Sequence, residues 1–259
     1  MIEGNSSSFK YEDTSIKCFK EGKVAVLQIK ANVFTTLVNI TESGKLFQLF
    51  ELIEKDKEIS SIFLYNEPDC LSAKQYDIFI KNIFTEKGIN DDISSRKISD
   101  KVLRTREIVA LNRFILNISN SSKLFVIGLQ GNIATPFFGA SLASDIRFGS
   151  TDLVFSFPHI KYKFHPGGAL PFFISKYLNT GIASEIIFRG EDIKSNKAMD
   201  LGLINKIIIN DNFKENCIKE INDKYNLDQC CIARTKSMMN CYSRAELKNY
   251  IEREYDIFI

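Results

Sequence analysis

The chain has only two histidines, His159 and His165, six residues apart. Four of its five prolines (Pro136, Pro158, Pro166 and Pro171) fall in the same 36-residue stretch, together with Gly139, Gly167 and Gly168. An imidazole changes charge nearer to neutral pH than any other ordinary side chain, so a histidine held in a rigid turn is a candidate general acid or base. A satisfied core histidine is the plainer reading of either residue. The six cysteines (Cys18, Cys70, Cys217, Cys230, Cys231, Cys241) form no CxxC pair and have no histidine at zinc spacing. They read as reduced thiols of a cytoplasmic protein with no metal site.

The rest of the composition narrows the function classes. Lys+Arg 34 against Asp+Glu 32 gives a formal charge of +2, which carries no polyelectrolyte signature for nucleic acid or a membrane surface. No apolar run is long enough to cross a bilayer, and the polar start MIEGNSSSFKYEDTS lacks a secretory h-region.

The elements that must position the histidines follow from periodicity. Val24–Lys30, Ser61–Tyr65 and Lys123–Leu129 read as strands, the last nearly continuous in apolar residues, as expected for a strand covered on both faces. Ser43–Glu58, a turn entering a helix at Asp69–Ile83, and Lys101–Ile118 carry helical spacing. The polar stretch from Thr85 to Asp100 reads as a mobile loop. A helix starting after Pro136 has a small-residue face, and Asp145–Gly149 and Leu153–Ser156 read as short strands. The Pro/Gly-rich segment leads to helices at Phe172–Leu178, Ile182–Phe188 and Asn196–Leu201, a strand at Ile204–Ile209, and a helical tail from Asn212. Alternating strands and helices with that tail give an α/β class.

Five ordered signatures then carry a resemblance. They are Lys123-Leu-Phe-Val-Ile-Gly-Leu-Gln-Gly131, Asp145-Ile-Arg-Phe-Gly-Ser150, Phe155-Ser-Phe-Pro-His159, Pro166-Gly-Gly168, and Glu185-Ile-Ile-Phe-Arg-Gly-Glu191 with Ala198 and Leu201-Gly-Leu-Ile-Asn-Lys-Ile207. Their order and spacing resemble the crotonase (enoyl-CoA hydratase/isomerase) superfamily. The resemblance implies a spiral of repeated ββα units over residues 1–210 and a C-terminal α-helical region at 211–259 for oligomerisation. It implies thioester chemistry, in which two backbone N–H groups hold the thioester carbonyl and stabilise an enolate while acidic side chains move protons.

The departures from that pattern are informative. Cys70-Leu-Ser-Ala73-Lys74 stands in for the first oxyanion loop, so the resemblance gives the Ala73 amide the donor role and sets Lys74 beside the pocket. Ser72 is equally an ordinary helix N-cap there, and Cys70 is a candidate reactive thiol. The second donor falls on Pro136, which has no N–H. Either the loop is shifted so that Phe137 donates, or one arm of the hole is missing. The two hydratase glutamates map onto Gly139 and His159, which makes His159 the acid/base candidate, while His165 and Gly167 lie on the turn beside the acyl pocket. Lys161-Tyr-Lys-Phe-His-Pro-Gly167 and Leu129-Gln-Gly131 are similar to crotonase-like decarboxylases of polyketide β-branching.

The Asn32–Leu37 stretch lacks Asn-Ala-Leu, and the end Glu254-Tyr-Asp-Ile-Phe-Ile259 lacks Ala-Phe-x-x-Lys-Arg. That suits a substrate tethered to a carrier protein, and a shortened end is the plain alternative. The expectation is a cytoplasmic lyase, a homotrimer or hexamer without a cofactor of its own. It acts by decarboxylation or dehydration on an acyl group carried by coenzyme A or a phosphopantetheinyl carrier protein. An impaired homologue that binds acyl groups or a partner chain, and a conventional hydratase or isomerase, are the alternatives.

Overall fold

The computed structural model describes residues 10–30, 33–83 and 101–258; the polar stretch 85–100 and Asn32 lie outside them. Strands β1 (Lys10–Glu12), β2 (Ile16–Glu21) and β3 (Val24–Ile29) form an antiparallel meander. Helices α1 (Val33–Val38) and α2 (Ile40–Lys55) return the chain to β4 (Ser61–Asn66), parallel to β3. Helices α3 (Ala73–Ile83) and α4 (Lys101–Asn120) precede β5 (Leu124–Leu129), β6 (Asn132–Ala134) and the short α5 (Phe137–Ser141). A second such turn brings β7 (Ile146–Ser150), β8 (Val154–Ser156) and a 3₁₀ turn at Pro158–Tyr162. Then follow α6 (Leu170–Tyr177), α7 (Thr180–Arg189), β9 (Ile193–Lys194), α8 (Ser195–Asp200) and β10 (Lys206–Ile208). Helices α9 (Phe213–Lys224), α10 (Gln229–Met239) and α11 (Ser243–Phe258) complete the chain.

From β5 onward each turn of the spiral gives one strand to each of two sheets. The larger has the order β1-β2-β3-β4-β5-β7-β10, parallel from β3 onward; the smaller has β6-β8-β9. The expected α/β architecture of repeated ββα units is present. The central strands β3, β4 and β5 of the large sheet are apolar on both faces. Ala25, Leu27, Ile62 and Leu64 join the main core, whereas Val24, Val26, Phe63 and Tyr65 turn against Phe213, Cys217 and Ile221 of α9. A period of two with both faces covered is what a parallel sheet demands.

Local chemistry sets the element ends. Helix α2 begins earlier than its apolar spacing suggests, because Asn39 caps it, accepting from the amides of Thr41 and Glu42 at 3.0 and 3.3 Å. The last strand is shorter than expected because Gly202, at φ +70, turns the chain and Leu203 and Ile204 enter the core. The Asp-Ile-Arg motif is structural. Asp145 Oδ2 accepts from the Phe125 amide at 2.7 Å and from Lys236 Nζ of α10 at 2.5 Å. The Arg147 guanidinium is buried, donates to the carbonyls of Leu203 and Ser144 at 2.7 and 2.8 Å, and lies 4.6 Å from the Tyr177 ring centroid. These bonds tie the large sheet to α10 and to the turn after α8.

Candidate active site

Part of the expected set, Pro136, His159, His165 and Gly167, lies on one cavity beyond the ends of β4, β5 and β6. Asn66 at the end of β4 and Gln130 after β5 clamp the two strands through three hydrogen bonds of 2.8–3.0 Å. Beyond that clamp β6 runs alongside the start of α3, with the Ala134 amide donating to the Leu71 carbonyl at 2.8 Å. Ser72 caps α3 weakly, its hydroxyl accepting from the Gln75 amide at 3.4 Å. The Ala73 amide, the expected oxyanion donor, donates instead to Asn132 Oδ1 at 2.7 Å. Ser156 Oγ donates to the same oxygen at 3.0 Å, so a carboxamide oxygen stands on this amide. Lys74 is exposed and does not line the cavity described below.

Pro136 follows a cis peptide bond after Thr135 and has no N–H to give. Phe137 is the first residue of α5, so its amide has no intrahelical acceptor. Gly139 is sealed. A Cβ there would stand 2.4 Å from the Gly168 carbonyl oxygen and 2.8 Å from the Leu170 nitrogen, so no glutamate fits this position on this backbone. Gly168, at φ +73, packs against the Pro136 carbonyl so closely that a Cβ would meet it at 2.0 Å. The Pro166–Leu170 turn therefore presses on the start of α5.

His159 lies in the 3₁₀ turn that Pro158 starts, and it is 2% exposed. Its Nδ1 is 3.2 Å from Thr135 Oγ1, and that hydroxyl donates its one proton to the Ser156 carbonyl at 3.1 Å. The histidine must therefore be the donor, which fixes the proton on Nδ1 and leaves Nε2 as an acceptor. Burial, with a smaller contribution from His165, lowers the His159 pKa to about 4. At neutral pH it is an uncharged base. His165 is also held below its ordinary value, first by burial and then by the charge of Arg104.

Both histidines line one cavity of about 20 Å³ with Thr135, Pro136, Gly167, Gly168 and Tyr76. This is room for a single water. Three charged residues that sequence reasoning missed complete the wall: Arg104 and Glu107 of α4, and Glu254 of α11. All three are buried, and Arg104 pairs with Glu107. Glu254 Oε1 accepts from the Ala169 amide at 3.1 Å, and burial raises its pKa to about 7. Burial also holds the Glu107 pKa above the ordinary carboxyl range despite the opposing Arg104 charge. The signal was present in the helical spacing. Arg104 and Glu107 continue the face of Ile108 and Leu111, and Glu254 continues the face of Leu247 and Ile251, so polar residues interrupt two apolar stripes.

Cys70 is corrected as a reactive thiol. Its Sγ is buried 3.6 Å from the Ile29 carbonyl, and burial pushes its pKa up to about 12, away from a thiolate. A larger cavity of about 410 Å³ lies at the opposite end of the large sheet, beside Leu124 and Ile146, and contains none of the expected site residues. No helix among the described residues is long and apolar enough to cross a membrane.

Comparison with known proteins agrees with this geometry. A sequence model of the family described as enoyl-CoA hydratase/isomerase matches residues 22–259. The chain is 27% identical over 190 residues to the short-chain-enoyl-CoA hydratase of Clostridium acetobutylicum, a match that covers 73% of this chain and 67% of that protein. The crystal structure of enoyl-CoA hydratase from Bacillus halodurans is similar at TM-score 0.75 and 19% identity, covering 93% of this chain and 92% of that one. The structure of Pseudomonas aeruginosa DspI is similar at TM-score 0.72 and 13% identity, with 95% of each chain covered. At such identities the two structures speak for the fold alone. The family match spans the small sheet, the large sheet from β3 onward and the cavity, and the chain belongs to the enoyl-CoA hydratase/isomerase family, within the crotonase superfamily.

Proposed function

We propose that the protein is a lyase acting on an acyl thioester, carried by coenzyme A or an acyl carrier protein, by decarboxylation or dehydration through a stabilised enolate. The observation that carries this reading is the convergence of His159, His165 and three buried charged residues on one cavity. Burying a charge costs several kcal/mol unless it is paired, so titratable groups gathered in a cavity point to chemistry rather than to packing. Neutral His159, with Nε2 free to accept, supplies a base. The Ala73 amide becomes an oxyanion donor when Asn132 turns away, and the Phe137 amide supplies the second donor that Pro136 lacks. The test is incubation with carboxylated enoyl thioesters, for decarboxylation, and with 3-hydroxyacyl thioesters, for dehydration, each on coenzyme A and on a carrier protein. Loss of carbon dioxide or water is expected; if neither is lost from any of them, the reading fails. His159→Ala is expected to fold and to turn over more slowly.

A second reading has its own observation. Asn132 Oδ1 occupies the Ala73 amide at 2.7 Å, and the opposite position is Pro136. Losing one oxyanion donor costs about a hundred- to a thousand-fold in rate. On that basis the chain is an impaired homologue that binds an acyl group or joins an active partner chain, and co-purification of a second crotonase-like chain would favour it. Conventional hydration is supported by the likeness to the C. acetobutylicum hydratase. Water addition to crotonyl-coenzyme A separates it from the lyase reading.

A further inference from the structure

The C-terminal helix contributes more to the cavity than cover. Glu254 reaches the cavity from α11, against Arg104 and Glu107 of α4, with His159 and His165 on the walls contributed by the 3₁₀ turn and the Pro166 turn. Its Oε1 is fixed by the Ala169 amide at 3.1 Å. The Ala169 backbone that aims this amide is left-handed, at φ 53. The carboxyl is thus oriented from the turn bearing Gly167 and Gly168.

An independent observation points to an occupant. Asn112 Oδ1, on the same wall, is buried without a hydrogen-bond partner. A buried acceptor left in this way calls for a donor from a water or from a bound molecule. The cavity holds one water-sized space bounded by an unpaired acceptor, a neutral imidazole and a carboxyl group.

We infer that the carboxylic acid of Glu254, delivered by the C-terminal helix, is the proton donor to the carbanion formed at this site, acting through the one water that the cavity admits. The inference rests on the acyl-thioester reading above. In the step, the C–C bond to the departing carboxylate breaks and its electron pair enters the thioester as an enolate. Carbon dioxide leaves. The O–H bond of Glu254 then breaks as its proton passes to that water. The water gives up one of its own protons to form the C–H bond on the substrate, and solvent returns a proton to the carboxylate. No oxidant or reductant is consumed. Burial keeps Glu254 protonated up to about pH 7, which suits a donor. His159, uncharged in the same range, does not compete as an acid.

The test compares wild type with Glu254→Gln, which keeps an oxygen for the Ala169 amide but has no acidic proton. Glutaconyl-coenzyme A, an enoyl thioester with a carboxylate in conjugation range, is the probe; carbon dioxide release and deuterium uptake into product are the readouts. A positioned acid contributes about 10²–10⁴-fold, so a loss of that size is expected in Glu254→Gln, with circular dichroism unchanged. The wild-type rate is expected to fall as pH rises through about 7, and Glu254→Gln to lose that limb. A folded Glu254→Gln with the wild-type rate overturns the inference and leaves the acyl-thioester reading standing. A wild type inert towards this and the other thioesters named for that reading overturns the reading itself, and the inference with it. If Glu254→Gln does not fold, the wild-type profile decides: a falling limb near pH 7 supports the inference, and a flat rate from about pH 6 to 8 overturns it.

Discussion

Removing either member of the Glu254–His159 pair unmasks a pH dependence of stability that the other one hides. Glu254 is 4% exposed, and burial raises its pKa from 4.5 to about 7. Between those values the folded chain holds a proton that the unfolded chain has released, so stability falls as pH rises through this window. At about 1.4 kcal/mol for each pH unit, the fall is roughly 3 kcal/mol. His159 runs the other way. Its pKa drops from 6.5 to about 4, so below pH 6.5 the unfolded chain binds a proton that the folded chain refuses. Its contribution therefore rises by roughly 3 kcal/mol from pH 4 to 6.5. The two slopes oppose each other and nearly cancel where the windows overlap. Urea unfolding followed by circular dichroism at half-unit pH steps measures both. The stability of Glu254→Gln relative to wild type is expected to climb by roughly 3 kcal/mol from pH 4.5 to 7. That of His159→Gln is expected to fall by a similar amount from pH 4 to 6.5. His165, Glu107 and Arg104 face the same cavity and are common to all three proteins, so they drop out of the differences. Two difference curves flat to within about 1 kcal/mol would refute the claim that burial governs these groups.

Other substitutions test the neighbouring contacts. Asn132→Ala frees the Ala73 amide, and since a net hydrogen bond is worth about 0.5–1.5 kcal/mol, thioester turnover is expected to rise by a few-fold to about tenfold; a fall would show that Asn132 itself serves the reaction. Gly139→Ala drives a Cβ into the Gly168 carbonyl, and a loss of about 1–3 kcal/mol in urea unfolding is expected. Gly139→Glu, which restores the residue that the family resemblance implies, is expected to lose more stability still and to gain no hydratase activity. Lys236→Met leaves the half-buried Asp145 carboxylate without its 2.5 Å partner, and a loss of about 1.5–3 kcal/mol is expected in the same unfolding assay.

What could be read in the sequence followed from backbone periodicity and ordered motifs. The strands around Leu27, Leu64 and Ile127 were legible because a sheet covered on both faces has no choice but apolar runs. Pro136 was legible as a missing donor because the absent N–H is covalent and needs no coordinates. The Asn132 side chain was not legible, because its role depends on a contact with Ala73, 59 residues away. Gly139 could be seen as a missing glutamate, but not as a position closed to one, since the closing atoms belong to Gly168 and Leu170. Glu107 and Glu254 come from helices far apart in the chain. A motif search anchored on the Phe155–Gly168 segment had no means of joining them, although each interrupted an apolar stripe. Cys70 sits beside an oxyanion loop in the sequence, and its burial against Ile29, which holds the thiol away from the thiolate form, depends on a contact 41 residues away.

The substitutions around the cavity make sense together as a change in its charge. A pair of glutamates, as the family resemblance implies, presents up to two negative charges to the acyl group. Here one of those positions is Gly139 and the other is His159, which is uncharged at neutral pH. The acid that replaces them, Glu254, stays protonated up to about pH 7, and the remaining carboxylate, Glu107, is matched by Arg104. The cavity wall is therefore close to neutral below pH 7. An anionic substrate group meets no net repulsion there, whereas a paired-glutamate site would oppose it by several kcal/mol at low dielectric. A thioester that carries its own carboxylate gains most from such a change, and a plain enoyl thioester gains nothing from it. The lyase reading therefore makes a comparative prediction: the ratio of binding affinity for a saturated, non-reacting carboxylated thioester to that for its uncharged methyl ester should drop as pH rises through about 7, when Glu254 ionises. A ratio independent of pH would remove charge as the reason for the rebuilt wall.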